Sequence, residues 1–318
     1  MRYLVTGSAG FIGYHLCDTL LTAGHEVDGV DVFTDYYDPA LKRANNARLL
    51  RYAGFRHLEL DLATHARRDI EDLCGAADAV IHLAAQPGVR LSWSEGFQVY
   101  VDRNMTASQR LLEAARLTGV SRLVLASSSS VYGNAPAYPT SEDSPTRPFS
   151  PYGVTKLAME HLAVAYADNW GLPAVLLRYF TVYGPGQRPD MALHRFIAAA
   201  GAGEPVTVYG DGEQVRDFTY VSDAVAATLA AADADLAGAT ILNVAGGSSS
   251  TVNELLRRVS ESLGREVVTQ HVAEQPGDVR ITGGVIDRAR GLLDWEPEVA
   301  LVDGVKRQVE HQLGAGVG

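Results

Sequence analysis

The amino-acid sequence predicts an α/β protein, a doubly wound parallel sheet followed by a smaller mixed α/β lobe. Three observations carry this. Short apolar runs alternate with segments of helical period through residues 1–180. A glycine-rich turn lies directly between the first run and the first helical segment. After Tyr183-Gly184-Pro185-Gly186 the chain turns to short strand candidates among Gly- and Pro-rich loops.

The elements follow in order. Residues 3–6, 26–32, 57–60, 79–83 and 122–126 read as buried strands, because each is a short apolar run. Residues 11–23, 67–73 and 97–117 carry apolar side chains at helical spacing. A further helix opens at Pro151-Tyr152, since proline is tolerated in a first turn, and a strand follows at 173–178. Beyond residue 180 the strand candidates are 206–209, 217–219, 241–244 and 266–271. Helices are expected near 192–200, 222–231 and 252–263. This divides the chain into a dinucleotide-binding domain, 1–180, and a substrate-side lobe, 181–318, with more than one crossing between them.

Composition narrows the function. The 318 residues carry 27 Lys+Arg against 38 Asp+Glu, a net charge of -11. That argues against a nucleic-acid or basic membrane-surface binder. No apolar run is long enough to span a bilayer, and no signal-peptide pattern precedes Tyr3. Two cysteines, Cys17 and Cys74, make no disulfide framework. The nine histidines show no metal-ligand spacing, and His82 reads as a satisfied core residue. No metal is expected, and the expected location is the cytoplasm. Only three cations are lysines, at 42, 156 and 306.

Gly7-Ser8-Ala9-Gly10-Phe11-Ile12-Gly13 joins strand one to helix one. Glycines there let backbone amides approach a pyrophosphate and let the helix pack close to the sheet. Such a cluster alone also fits a plain turn. Asp31, at the end of strand two, favours a dinucleotide; it would accept the adenosine ribose hydroxyls and repel a 2′-phosphate, which selects NAD. Tyr152-Gly153-Val154-Thr155-Lys156 places a phenol and an ammonium on one helix face. A Tyr-x-x-x-Lys spacing is commonly just helix surface. Here it follows Ser127-Ser128-Ser129-Ser130, at the carboxyl end of a parallel strand where such sheets bind ligands. A nearby Lys⁺ would favour the phenolate.

With these motifs in place, the chain resembles the extended short-chain dehydrogenase/reductases of the nucleotide-sugar epimerase and dehydratase family. The likeness also runs through Asp61-Leu62, Leu83-Ala84-Ala85, Asn104, Val131-Tyr132-Gly133, Arg178-Tyr179-Phe180, Arg216-Asp217-Phe218 and Pro276-Gly277-Asp278. It implies a Rossmann-like N-terminal domain holding NAD and a nucleotide-sugar lobe. It also implies a homodimer through a four-helix bundle built from residues 97–117 and 151–169. The resemblance assigns catalysis to Tyr152, Lys156 and Ser128. NAD contacts fall to Gly7, Gly10, Phe11, Ile12, Gly13, Asp31, Lys42, Asp61, Leu62, Leu83, Ala84, Ala85, Tyr152 and Lys156.

Within the family, 4,6-dehydratases resemble Thr-Asp-Glu where this chain has Ser128-Ser129-Ser130, and decarboxylases resemble Thr-Ser-Glu. The missing acids argue against both reactions. Galactose-type 4-epimerases resemble Arg-Tyr-Phe-Asn where Thr181 stands here. The segments Thr34–Lys42, Gln86–Arg90 and Phe180–Ala192 are most similar to UDP-glucuronate 4-epimerases. That likeness implies inversion at C4 of UDP-glucuronate to UDP-galacturonate through a transient 4-keto sugar. Substrate contacts are then expected from Arg90, Ser128, Ser129, Ser130, Thr181, Arg188, Arg216 and Asp278. Arg188, Thr181 and the serine hydroxyls would hold the sugar carboxylate, although Arg188 also suits a structural or phosphate-facing role. Gln275 stands where relatives often carry arginine, leaving Arg216 as the main diphosphate candidate. The alternatives are a 4-epimerase of neutral UDP-sugars, a dehydratase or decarboxylase, and a non-catalytic NAD-sensing protein.

Overall fold

The structure is a computed structural model and describes residues 1–274 and 277–314. Its strands, in chain order, are β1 (Arg2–Thr6), β2 (Glu26–Val30), β3 (Phe55–Leu58), β4 (Ala79–His82), β5 (Leu123–Ser128) and β6 (Ala174–Tyr179). Then come β7 (Thr181–Tyr183), β8 (Val206–Tyr209), β9 (Val215–Tyr220), β10 (Ala239–Val244), β11 (Ser249–Thr251) and β12 (Thr269–Val272). Seven form the main sheet, in the order β10-β6-β5-β4-β1-β2-β3, and every neighbouring pair is parallel. The chain works outward from β1 to β3, then returns beside β1 with β4 and works outward the other way. That reversal opens a crevice at the carboxyl ends of β1 and β4.

Helices cover both faces, so β4, β5 and β6 are buried along their whole length. Adjacent strand residues point to opposite faces. Val5, Ile81, Val124 and Leu177 meet the helices Phe11–Thr22 and Val221–Asp233. Leu4, Val80, Leu125 and Leu176 meet Arg67–Ala76, Ala107–Thr118 and Pro151–Trp170. His82 lies in β4 with both ring nitrogens bonded, to Thr6 Oγ1 at 2.7 Å and Ser108 Oγ at 3.0 Å. It is the satisfied core histidine expected.

Several elements differ from expectation. The strand expected at 241–244 among those of the second lobe is β10, the edge of the main sheet. It pairs with β6 from Ala239↔Ala174 to Val244↔Tyr179, and the preceding helix Val221–Asp233 also packs on that sheet. An apolar run carries no record of its pairing partner. Strand two stops at Val30, so Asp31 stands just past its carboxyl end, with its N–H still donating to Leu58 O of β3 at 3.3 Å. The helix Pro39–Leu49 was not anticipated; Asp38 caps it through Ala40 N at 2.9 Å, with Pro39 in its first turn. The expected helix 97–117 is a continuous run to Thr118 with a π-turn at Val101–Thr106, a feature frequent at functional sites.

The remaining elements make a three-stranded sheet, β11-β9-β7, and a two-stranded pair, β12-β8. The helices Ala192–Ala202, Val252–Leu263 and Leu301–Gly314 pack beside them. Among the described residues, no helix is long and apolar enough to cross a membrane.

Candidate active site

The glycine turn lies in the crevice between β1 and β4. Gly7 has φ +74°, and a Cβ there would sit 2.8 Å from Ala84 N. A Cβ on Gly13 would lie 2.0 Å from Gly7 O. Both positions exclude larger residues, because turn, strand end and helix start share one space. Gly10 precedes the helix Phe11–Thr22 and supplies no side-chain cap, so the first-turn amides keep their capacity for an anion. Phe11 is buried in the core and Ile12 half-buried. Asp31 is buried beside the turn, accepting from Ala9 N at 3.2 Å and Phe33 N at 2.9 Å. Lys42 Nζ reaches Asp31 Oδ1 and Thr34 Oγ1, both at 3.4 Å. Asp61 closes its own turn through Ala63 N at 2.9 Å, and Leu62 is buried. Leu83, Ala84 and Ala85 leave β4, with Ala84 N donating to Thr6 Oγ1 at 3.2 Å. The glycine turn, Asp31 and the Leu83–Ala85 segment thus lie together at the carboxyl ends of β1, β2 and β4, with the first-turn amides of the helix beside them.

Beside it, the helix Pro151–Trp170 starts at Ser150, whose hydroxyl accepts from Gly153 N at 3.2 Å. Tyr152, Lys156 and Glu160 follow at four-residue spacing on one face. Lys156 is buried, and its Nζ donates to Ala126 O of β5 at 2.8 Å. Burial pushes this ammonium down to about 8, opposed by the charge of Glu160. Burial also raises the Tyr152 phenol; its hydrogen bond with Ser128 and the charge of Arg188 pull it back. Ser128 ends β5 and accepts from Ser130 N at 3.2 Å, which opens the short turn Ser129–Val131. Ser129 and Ser130 are half-buried on that turn. The Ser128 hydroxyl and the Tyr152 phenol therefore meet where β5 ends and the helix begins, and Lys156 is buried one helical turn further on against Ala126 of β5.

The support beneath this set was only partly legible. Glu160 accepts from Ser127 Oγ and from Arg178 at 2.9 and 2.7 Å, with both ion-pair side chains almost fully buried. Arg178 also donates to Tyr132 OH at 2.8 Å, which donates to Asn243 Oδ1 at 2.6 Å. Sequence reasoning missed Glu160; its four-residue step from Lys156 was the available signal. Asn104 sits on the π-turn, bonding Gln86 N at 2.7 Å, Gln86 O at 3.0 Å and Thr155 Oγ1 at 3.0 Å. It ties the loop after β4 to the Tyr152–Lys156 helix.

The expected substrate residues fall into two groups. Arg90 and Asp278, 188 positions apart, meet at 3.4 Å, and the Arg90 guanidinium stacks on Tyr209 at 4.3 Å. Arg216 is near them: burial lowers its guanidinium, while the charge of Asp278 raises it. Its Nη1 donates to Val215 O and Arg280 O, at 2.9 and 3.3 Å. Gln275 and Pro276 lie outside the described residues. In the second group, the Ser128 hydroxyl bonds Tyr152. Arg188 acts on that phenol by charge, yet it also grips Asp190 through two bonds, at 2.9 and 3.0 Å. Asp190 was not among the expected site residues. Thr181 opens β7 and is half-buried. Lys306 lies on the surface, 4.0 Å from Glu310.

Fold and site together define a doubly wound α/β protein whose glycine-turn crevice adjoins a Ser–Tyr–Lys set. The chain belongs to the NAD dependent epimerase/dehydratase family, whose model matches residues 3–245. A relative from Bacillus subtilis (strain 168), described as an uncharacterized UDP-glucose epimerase, YtcB, is 41% identical over 313 residues, covering 98% of each chain. The UDP-glucuronate 4-epimerase of Thermodesulfobacterium geofontis (strain OPF15) is 39% identical over 310 residues, covering 96% of this chain and 94% of its own. Among solved structures, the UDP-glucuronic acid 4-epimerase from Bacillus cereus, in complex with UDP-glucuronic acid and NAD, superposes with a TM-score of 0.95. It is 39% identical, covering 99% of this chain and 100% of its own.

Proposed function

We propose that this protein is an NAD-dependent UDP-glucuronate 4-epimerase, which interconverts UDP-glucuronate and UDP-galacturonate. The observation that carries the reading is the Ser128–Tyr152–Lys156 set beside the glycine crevice, with serines at 129 and 130 and Arg188 within charge range of Tyr152. Full-length similarity to the enzymes from T. geofontis and B. cereus supports it.

NAD would be held by the Gly7–Gly13 turn and Asp31, and when bound would supply reversible hydride acceptance from the sugar C4. Tyr152, as phenolate, takes the proton from the C4 hydroxyl and later gives it back. The Ser128 hydroxyl donates to the sugar O4, which steadies the ketone. The Lys156 ammonium, anchored on Ala126 O, supplies positive charge under the phenol. Arg90 and Arg216 hold the diphosphate while the 4-keto sugar turns. Ser129 and Ser130 supply hydroxyls where an acid would promote elimination or decarboxylation. The NAD site belongs to residues 1–180; the nucleotide-sugar site combines the lobe 181–318 with Arg90 and Ser128–Ser130 of the first part, and β10 returns to the first.

The test is incubation with UDP-glucuronate and NMR of the product. UDP-galacturonate is expected; a spectrum without it would overturn the reading. One observation favours a second reading, a 4-epimerase of neutral UDP-sugars: Arg188 already has an internal carboxylate partner. Relative rates on UDP-glucuronate and UDP-glucose decide between them.

The proposal extends to assembly and setting. Phe97, Val99, Leu117, Val154 and Trp170 are exposed on the helical segments 97–118 and 151–170. This favours a homodimer through a four-helix bundle. A cytoplasmic role in carbohydrate metabolism fits the proposed substrate.

A further inference from the structure

Arg188 stands on a turn whose backbone is tightly held. Gln187 N donates to Gly184 O at 3.1 Å, and Gln187 Nε2 donates to Val182 O at 3.0 Å. Gln308 bonds both Gly184 N and Gln187 Oε1, each at 2.8 Å. The remaining freedom is in the long side chain. Asp190 removes much of it: Nε meets Oδ1 at 2.9 Å and Nη2 meets Oδ2 at 3.0 Å. A third element joins them. The Tyr36 hydroxyl, from the loop after β2, donates to Asp190 Oδ2 at 3.2 Å. Gly88 makes room for it, since a Cβ there would lie 2.2 Å from Tyr36 OH. Burial pushes the Asp190 carboxyl up, but Arg188 and Tyr36 outweigh it, so Asp190 stays ionised. Among the described residues, Nη1 of Arg188 has no hydrogen-bond partner.

We propose that Asp190 and Tyr36 are positioning residues that lock one edge of the Arg188 guanidinium, so that its Nη1 edge alone meets an acidic substituent on the sugar. The inference rests on the UDP-glucuronate reading. A lone arginine would bind a carboxylate in many geometries, whereas a planar fork held by one edge presents the other in a fixed plane. Orientation matters in the 4-keto sugar acid. Loss of CO₂ breaks the C5–C6 bond; its electron pair enters the C4 carbonyl as an enolate, which takes a proton from water at C5. That needs the C5–C6 bond aligned with the carbonyl π system. A carboxylate anchored in position by the fixed Nη1 edge holds C6 near the plane of the C4 carbonyl, which keeps the C5–C6 bond out of alignment. The loop after β2 thus carries both the cofactor acid, Asp31, and a determinant of sugar specificity.

The experiment compares wild type with Asp190→Asn, Tyr36→Phe and Arg188→Ala, each as the full chain with NAD. Asp190→Asn is expected to raise KM for UDP-glucuronate at least fivefold, with a smaller change in kcat, and to raise the UDP-pentose fraction by NMR. Tyr36→Phe should shift both in the same direction by about twofold. Binding of UDP, which lacks the sugar acid, should stay within twofold. Asp190→Asn with KM and pentose fraction unchanged would overturn the inference, as would a parallel loss of UDP binding, which marks a structural role. If Arg188→Ala abolishes preference for the acid sugar while Asp190→Asn does not, this inference alone fails. If wild type does not epimerise UDP-glucuronate, the underlying reading fails.

Discussion

Replacing Lys156 by methionine should stabilise the folded chain while destroying its activity. The ammonium is buried, with Ala126 O as its hydrogen-bond partner at 2.8 Å. Its pKa falls from 10.5 to about 8, chiefly through burial. At about 1.36 kcal/mol per pH unit, keeping it charged at pH 7 costs about 3 kcal/mol. Methionine has similar length and no charge, so it removes that cost. It leaves Ala126 O without this donor, which returns about 1 kcal/mol. The net gain is about 2 kcal/mol, a rise in Tm of about 3 °C for a chain of this size. The pH dependence is diagnostic. Folded Lys156 binds its proton more weakly than unfolded Lys156, so the penalty is full below pH 8 and fades between 8 and 10.5. Urea denaturation without added NAD, at pH 7 and pH 10, measures it. The variant should exceed wild type at pH 7 and lose that advantage at pH 10. A variant less stable than wild type at pH 7 would refute the burial argument.

Three more outcomes are expected. Tyr152→Phe should lower turnover at least a thousandfold with NAD still bound, seen by product NMR and cofactor fluorescence, because the phenol is the proposed proton carrier. Glu160→Gln leaves the Arg178 charge buried without its anion, so chemical denaturation should show a loss of about 3–5 kcal/mol; a loss under 1 kcal/mol would contradict the ion-pair geometry. Burial, with the Lys156 charge, pushes His82 down to about 3. The unfolded imidazole takes its proton near 6.5 and the folded one only near 3. Stability should therefore fall by about 2 kcal/mol from pH 6.5 to 4.5, and His82→Gln should flatten that slope.

How much was legible in the sequence depended on the range of each interaction. The glycine turn and the Tyr152–Lys156 pair are each local motifs, legible in the sequence once the strand order, Asp31 and the serine cluster gave them context. The helix Pro39–Leu49 is also marked locally, by the Asp38 cap and Pro39 in its first turn, although its polar composition shows little apolar period. Glu160 lay one helical turn beyond Lys156, but its partner Arg178 comes from β6. A carboxylate on a helix acquires its role from what the sheet places against it.

Alternating apolar runs and the glycine turn determined the fold class, because periodicity and turn chemistry act over a few residues; the family came from the resemblance carried by motifs spread along the whole sequence. Tertiary structure decided everything that joins distant segments. It sent β10 to the edge of the main sheet, brought Arg90 to Asp278, and set Tyr36 against Asp190. Those pairings follow from packing across the whole chain, and no local pattern encodes which of many carboxylates an arginine will meet.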